Sequence, residues 1–201
     1  MDANGDGVGD TPYVIDADNQ DRYPLMNPYL PYHDIALANV TLSKTTVGEG
    51  YKMVINGDIE NQGDCIETFD ITLYANSTII GTFALNQWAK VRSGFPFIWN
   101  TTGFAKGYYN ISAYISPVGG ESDTDDNAFT GGWVFVTVAG DVTGFGGTVD
   151  GTCDMRDIGA VCGKFMTPPS GPDWDPNMDI NDDGVIDMRD IGIACNNFMK
   201  A

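Results

Sequence analysis

Phe69-Asp70-Ile71-Thr72-Leu73-Tyr74-Ala75 alternates apolar and polar residues over a full strand length. Alternation with period two puts Phe69, Ile71 and Leu73 on one face and Asp70, Thr72 and Tyr74 on the other. One face then enters a core and the other meets water. The pattern recurs on both sides. Upstream, Met53 and Ile55 take inward places between Tyr51 and Ile59. Downstream, Tyr109, Ile111, Ala113 and Ile115 form the inward set, separated by Asn110, Ser112 and Tyr114. Turn-forming clusters punctuate these runs at Val47-Gly-Glu-Gly, Asn61-Gln-Gly-Asp, Ala75-Asn-Ser, Thr102-Gly and Pro117-Val-Gly-Gly. Residues 33–139 therefore predict an antiparallel β-sandwich of about seven strands in two sheets.

Beyond the sandwich one pattern is written twice. The second copy reads Asp179-Ile-Asn181-Asp-Asp183-Gly184-Val185-Ile-Asp187-Met-Arg-Asp190. Counted from Asp179, side-chain oxygens fall at loop positions 1, 3, 5, 9 and 12, with Gly at 6 and the Val185 carbonyl at 7. A hard divalent cation held by a short loop needs that order of donors. The first copy offers Asp141, Thr143, Asp150, the carbonyl of Thr152, Asp154 and Asp157, with Gly151 at the turn. An insert around Phe145 stretches it to 17 residues against 12, and Thr143 is a poorer donor than Asn181, so it is expected to be the weaker site. Both loops close on Asp where calcium sensors close on the longer Glu. Each feeds a short helical run: Asp154-Met-Arg-Asp-Ile-Gly-Ala-Val-Cys162 and, 33 residues on, Asp187-Met-Arg-Asp-Ile-Gly-Ile-Ala-Cys195. Residues 140–201 predict a small α-helical unit that binds two Ca2+ ions.

An N-terminal segment, residues 1–32, repeats part of the same spacing. Asp2, Asn4, Asp6, the carbonyl of Val8 and Asp10 occupy positions 1, 3, 5, 7 and 9, with Gly7 at 6. Tyr13 stands at position 12, so a closing carboxylate has to come from Asp16, Asp18 or Asp21. A third Ca2+ site or an acidic, glycine-rich linker are both open readings. The run Glu121 to Asp126 reads as a turn whose carboxylates accept backbone N–H groups, with a metal site as the other reading.

Two resemblances follow from these residues. The paired loop–helix units over about 140–200 resemble a dockerin domain. That resemblance implies a noncatalytic plug for a cohesin-type protein on another chain. Its partner-reading positions map to Met155, Arg156, Gly163 and Lys164 in one copy and Met188, Arg189, Asn196 and Asn197 in the other. Met-Arg stands twice where bacterial members often carry small hydroxyl residues. The near-identity of the copies implies binding in either of two orientations. The sandwich stretch is similar to the cell-adhesion-related domain found in bacteria (CARDB), through Asn61-Gln-Gly-Asp, Phe69-Asp-Ile-Thr-Leu-Tyr, Ile79-Ile-Gly-Thr, Trp99-Asn-Thr-Thr-Gly, Gly107-Tyr-Tyr-Asn-Ile-Ser-Ala-Tyr and Glu121-Ser-Asp-Thr-Asp-Asp-Asn127. It implies an immunoglobulin-like sandwich serving as a spacer or adhesion module. The N-terminal segment resembles tails that follow right-handed β-helix domains of secreted proteins.

Composition narrows the classes. Twenty-eight acidic residues against ten basic ones give a formal net charge of −18, which disfavours nucleic acid and anionic lipid surfaces as partners. Much of that charge sits in the proposed loops, so folding of the C-terminal unit is expected to depend on calcium. No apolar stretch is long enough to span a bilayer, so no membrane insertion is expected. No secretory signal opens the sequence, and a longer secreted, cell-surface parent is expected. Four Asn-X-Ser/Thr sequons, at Asn39, Asn76, Asn100 and Asn110, are candidate glycosylation sites, all within the sandwich. Cys65, Cys153, Cys162 and Cys195 lack zinc-site spacing. Cys162–Cys195 and Cys153–Cys162 bridges or four free thiols are all open. His33 is the single histidine, so no Ser-His-Asp or Cys-His pair offers itself, and catalysis is not expected.

Three functional readings result. The first is an extracellular, noncatalytic anchoring module in which the sandwich carries a calcium-dependent dockerin that binds a cohesin-type partner. The second is a self-associating, calcium-stabilised fibre or adhesin subunit. The third is the C-terminal part of a secreted polysaccharide-acting enzyme.

Overall fold

The computed structural model describes residues 2–26 and 30–201; residues 1 and 27–29 of the predicted N-terminal segment lie outside the described residues. The chain divides into two compact units, 1–32 and 33–201.

The first unit holds a two-stranded antiparallel ribbon, β1 (Tyr13–Val14) and β2 (Gln20–Asp21). Beside it, Gly9 donates its amide to Pro24 O and Met26 donates to Gly7 O.

The second unit opens with the sandwich. Its strands are β3 (Ile35–Leu42), β4 (Thr46–Gly48), β5 (Lys52–Asn61), β6 (Glu67–Ala75), β7 (Thr78–Gln87), β8 (Arg92–Asn100), β9 (Gly107–Ile115) and β10 (Ala128–Thr137). One sheet has the order β4-β10-β9-β6-β7 and the other β3-β5-β8. Between them lies a core that includes Ile35, Met53, Ile55, Ile71, Leu73, Trp99, Ile111, Ile115, Val134 and Val136. The alternation in β6 emerges as expected, with Phe69, Ile71 and Leu73 buried. Trp99 makes edge-to-face contacts with Phe104 and Tyr109, which also meet each other edge to face. Asn76, at φ 55°, turns the chain between β6 and β7.

Two details correct the expectation. Among the described residues the sandwich has eight strands where about seven were expected, and one pairing, β4 with β10, is parallel. The cause lies in Ser43-Lys44-Thr45. No turn reverses the chain there, so it passes from the three-stranded sheet to the edge of the other and arrives parallel to β10. Val47 is thereby buried.

A second core continues from the first without a linker. Val138, Ala139, Val142, Cys153, Val161, Met178, Ile180, Ile186 and Ala194 are buried together, and Tyr51 packs on both cores. It is covered by two helices, α1 (Met155–Gly163) and α2 (Met188–Asn196). Short 3-10 turns form at Phe145–Gly147 and Pro176–Met178. No helix among the described residues is long and apolar enough to cross a membrane.

Candidate functional site

Each helix is started by the loop before it. Asp154 and Asp187 are the N-caps, each accepting from the amide two residues on (Arg156 and Arg189, both at 2.7 Å). Asp157 and Asp190 reach back to the N-cap amides at 2.7 and 2.9 Å, which completes a reciprocal capping box in both copies. Their other oxygen reaches further. Asp157 Oδ1 accepts from Val142 N (2.9 Å) and Thr143 N (2.8 Å), and Asp190 Oδ1 accepts from Ile180 N (2.8 Å) and Asn181 N (3.2 Å). Position 12 thus ties loop positions 2, 3 and 9 into one ring. Both carboxylates are almost wholly shielded from water, at 1% and 0% exposure.

The copies also close on each other. Met166, following α1, donates its amide to Ile186 O, and Met199, following α2, donates to Cys153 O. Cys153 N returns a bond to Lys200 O. Both acceptors are loop position 8, so each loop is backed by the chain that follows the other copy's helix. Gly140 explains how closely the unit packs: its φ is +96°, and a Cβ there would lie 2.7 Å from Ala194 Cα.

At position 1 the copies differ. Asp179 Oδ1 accepts from Asp183 N (3.2 Å) and Oδ2 from Gly184 N (2.9 Å). Asp141 Oδ2 accepts from the Thr137 hydroxyl, while Oδ1, in a side chain only 1% exposed, has no hydrogen-bond partner. Burial pushes the Asp141 carboxyl up to about 6, opposed by the Thr137 hydroxyl and the Gly151 amide, while Asp157 and Asp150 nearby add to the rise. Burial likewise raises Asp179, opposed by the Gly184 amide and the Lys44 ammonium. Gly184 and Gly151 at position 6 have φ of 86° and 89°, the left-handed conformation this turn requires.

A guanidinium spans each loop. Arg156 Nη2 lies 3.1 Å from Asp150 Oδ2, its head group also bonds Asp154, and Arg156 Nε is 3.0 Å from Asp154 Oδ2. In the second copy Arg189 Nη1 is 2.7 Å from Asp183 Oδ2 and Nη2 is 2.7 Å from Asp187 Oδ2. The side-chain bonds from these arginines hold Asp154 and Asp187 below the usual carboxylate range, and the helix amides reinforce them. Loop positions 5 and 9 are therefore bridged by position 11 in both copies.

The donor set has the chemistry for a hard cation: carboxylate and amide oxygens plus a carbonyl at position 7, and in Asp141 a buried carboxylate oxygen lacking any donor. The residues fit Ca2+ in kind. Among the described residues, however, no three Asp, Glu, His or Cys side chains converge as an ion cluster. The carboxylates point instead to backbone amides and to the arginines.

The N-terminal loop repeats this turn. Asp2 Oδ2 accepts from Gly7 N (2.9 Å), Asp6 Oδ1 from Val8 N (2.9 Å), and Asn4 Nδ2 donates to Asp6 Oδ2 (2.9 Å). The matching Asp179–Gly184, Asp183–Val185 and Asn181–Asp183 bonds occur in the second C-terminal loop. Asp10 Oδ2 accepts from Ala3 N at 2.6 Å, so the carboxylate at position 9 takes the position-2 amide that position 12 takes in the other loops. Asp16 and Asp21 bond within their own turns, to the amides of Asp18, Asn19 and Tyr23.

Of the positions that the dockerin resemblance assigns to partner reading, Met155, Arg156, Gly163, Met188, Arg189 and Asn196 are exposed, and Lys164 and Asn197 are half-buried helix C-caps. Asn76 and Asn100 are exposed, while Asn39 and Asn110 are half-buried. Asn76 Oδ1 accepts from Asn110 N, and Asn110 Oδ1 is buried without a partner. All four cysteines are free thiols. Cys153 is fully buried, which pushes its thiol up to about 12, whereas Cys162 and Cys195 are exposed. Glu121 behaves as the turn reading expects, accepting from Ile35 N and Val118 N.

Two anchoring residues carried no readable signal. Lys44 is 3% exposed, and its Nζ donates to Asp179 O (2.6 Å) and pairs with Asp182 Oδ1 (3.0 Å). Asn177 Oδ1 accepts from the amides of Thr45 and Thr46, both at 3.0 Å. Together they fasten the second loop to the β3–β4 crossover.

No family model and no curated protein matches the chain. Solved structures do. One is a CARDB domain from Pyrococcus furiosus, described as in complex with di-metal ions, at TM-score 0.46 and 19% identity over 55% of this chain and 99% of that one. Another is a domain from Methanosarcina acetivorans, described as part of a cell surface protein, at TM-score 0.40 and 21% identity, covering 54% of this chain and 93% of that one. A β-glucosidase from Erythrobacter marinus matches at TM-score 0.42 and 14% identity, covering 62% of this chain and 18% of that one.

Proposed function

We propose that this chain is a noncatalytic, extracellular calcium-binding anchoring module. Its sandwich is a CARDB-like spacer, and its C-terminal unit is a dockerin-like plug that engages a cohesin-type protein through the face of α1 and α2 that carries Met155, Arg156, Gly163 and Lys164 and their counterparts Met188, Arg189, Asn196 and Asn197. The observation that carries the reading is the duplicated ring. In both copies a shielded position-12 carboxylate gathers the amides of positions 2, 3 and 9. Such a ring fixes a short loop with its remaining oxygens at positions 1, 3, 5 and 9. Support also comes from the unpartnered Asp141 oxygen, because a buried carboxylate without a donor is costly unless a cation compensates it. In this reading Asp141, Thr143, Asp150, Thr152, Asp154 and Asp157 hold one Ca2+. Asp179, Asn181, Asp183, Val185, Asp187 and Asp190 hold the other.

Calorimetric titration of Ca2+ into the chelator-stripped chain tests the proposal, and two binding events are expected. An absence of heat and of any change in thermal stability would remove it. A concentration series by sedimentation separates the plug from the fibre: a monomer at all concentrations with calcium fits a plug, and growing oligomers fit a fibre.

A further inference from the structure

Arg156 and Arg189 occupy the same place in two copies that differ in loop length by five residues, 17 against 12. Both lie at loop position 11, in the first turn of a helix. Both spread a guanidinium across the carboxylates at positions 5 and 9. Those carboxylates are the ones a cation in the loop would draw inward. A guanidinium is a spread-out single charge with five donors, well matched to two carboxylates but not to a ring of five to seven oxygens. It also remains in contact with water, since the side chains are 47% and 64% exposed, so nothing in the packing prevents it from swinging away. The N-cap bond from the arginine's own backbone amide to position 9 does not depend on where the side chain goes.

We propose that Arg156 and Arg189 are built-in counter-cations that compete with Ca2+ for their own loops and are released when the ion binds. This rests on the calcium reading of the two loops. In the ion-free chain each arginine neutralises the position 5 and 9 carboxylates and keeps the loop from repelling itself. When the divalent ion binds, the Oδ2 atoms of Asp150 and Asp154, or of Asp183 and Asp187, turn to it and the ion pairs with arginine break. The freed guanidinium then projects beside Met155 or Met188, which are 65% and 66% exposed. Calcium thereby converts two pinned arginines into two free ones, flanked by apolar side chains, on the face proposed to meet the partner. The occupant that suits such a face is an acidic protein surface with an apolar centre.

The test is calcium calorimetry on the full chain and on the R156Q/R189Q double variant, with K52Q/K106Q as a control for loss of two exposed positive charges outside the loops. Removal of competing guanidinium groups is expected to tighten calcium binding several-fold in the R156Q/R189Q variant, with less than a twofold change in K52Q/K106Q. If the unaltered chain binds calcium but R156Q/R189Q binds equally or more weakly, or K52Q/K106Q tightens it as much, the competition is overturned and the calcium reading stands. If the unaltered chain binds no calcium, the calcium reading itself fails. A second readout uses the unaltered chain and needs no variant to fold. The two arginine Nε–H resonances, assigned from the single variants, are expected to lose their ion-paired shifts and exchange faster with water as calcium is added. Shifts that stay fixed through saturation overturn the proposal.

Discussion

The two copies of the C-terminal loop share a position-12 ring and an arginine bridge but part company at position 1. In the second copy both oxygens of Asp179 are bonded to amides of its own loop, and Lys44 clamps the carbonyl of the same residue. In the first, Asp141 keeps one buried oxygen without a donor. The difference traces to the insert. Residues 144–149 stand where the second copy has the single residue Asp182, and Asp141, although the position-6 amide of Gly151 lies near its carboxylate, is left with Oδ1 unbonded. One loop satisfies both oxygens of its first carboxylate from its own backbone; the other leaves one of them unpaired. Identical helix starts therefore do not make identical sites.

The largest effect is expected where the copies agree. Asp157→Ala and Asp190→Ala each strand three backbone amides, so each should cost about 4 kcal/mol in chelator, at one to three per unpaired buried group. Urea unfolding followed by the signal of the C-terminal unit measures it. A cost below about 1 kcal/mol in one copy only would break the equivalence of the rings.

Lys44→Met comes next. It removes a buried ammonium from Asp179 O and Asp182 and should cost about 3 kcal/mol, because breaking a buried pair leaves its partners uncompensated. Only the second loop should loosen, read as faster amide exchange over 179–184 with 141–152 unchanged.

Asp141→Asn should act in the opposite direction. Without calcium it removes a shielded, half-satisfied charge and should stabilise the chain by about 2 kcal/mol at neutral pH. With calcium it should weaken the first site. Asp179→Asn should give a smaller gain in chelator, since both oxygens of Asp179 already have donors that offset much of its burial. Equal responses from the two would erase the contrast at position 1.

The smallest effect concerns the insert itself. Deleting residues 145–149 makes the first loop as long as the second and should tighten its calcium affinity roughly tenfold, about 1.4 kcal/mol. Calorimetry with the second site disabled by Asp183→Asn isolates that change.

Much of this was legible in the sequence. Strand faces followed from period two because a sheet with one wet face forces alternation, and β6 and β9 carry it cleanly. Loop registers and helix starts followed from Asp and Gly spacing, since caps and left-handed turns are local. Long-range choices were not legible. Nothing in Ser43-Lys44-Thr45 says that the chain changes sheets, or that Lys44 is buried 135 residues away from its acceptor, because a lysine reads as solvated until a partner is in place. The arginine bridges were half within reach: Asp-Met-Arg, twice, sets a cation beside the position-9 carboxylate, while its second partner at position 5 comes only with the folded loop. At the N-terminus the bond from the position-2 amide to Asp10 was not legible, because it depends on how the nine-residue turn folds back.

The exchange of amides between the copies has a consequence for how the protein is made. Loop one and its helix are complete once Met166 has been synthesised, yet the amide that backs Cys153 belongs to Met199, 33 residues later. At 5–20 residues per second, a chain emerging in order leaves that loop open for about 2–7 s. Loop two has no such wait, since the amide for Ile186 is already present on Met166. During those seconds Cys153 and the apolar underside of α1 are unprotected, and a chaperone or an oxidant would meet the molecule there first.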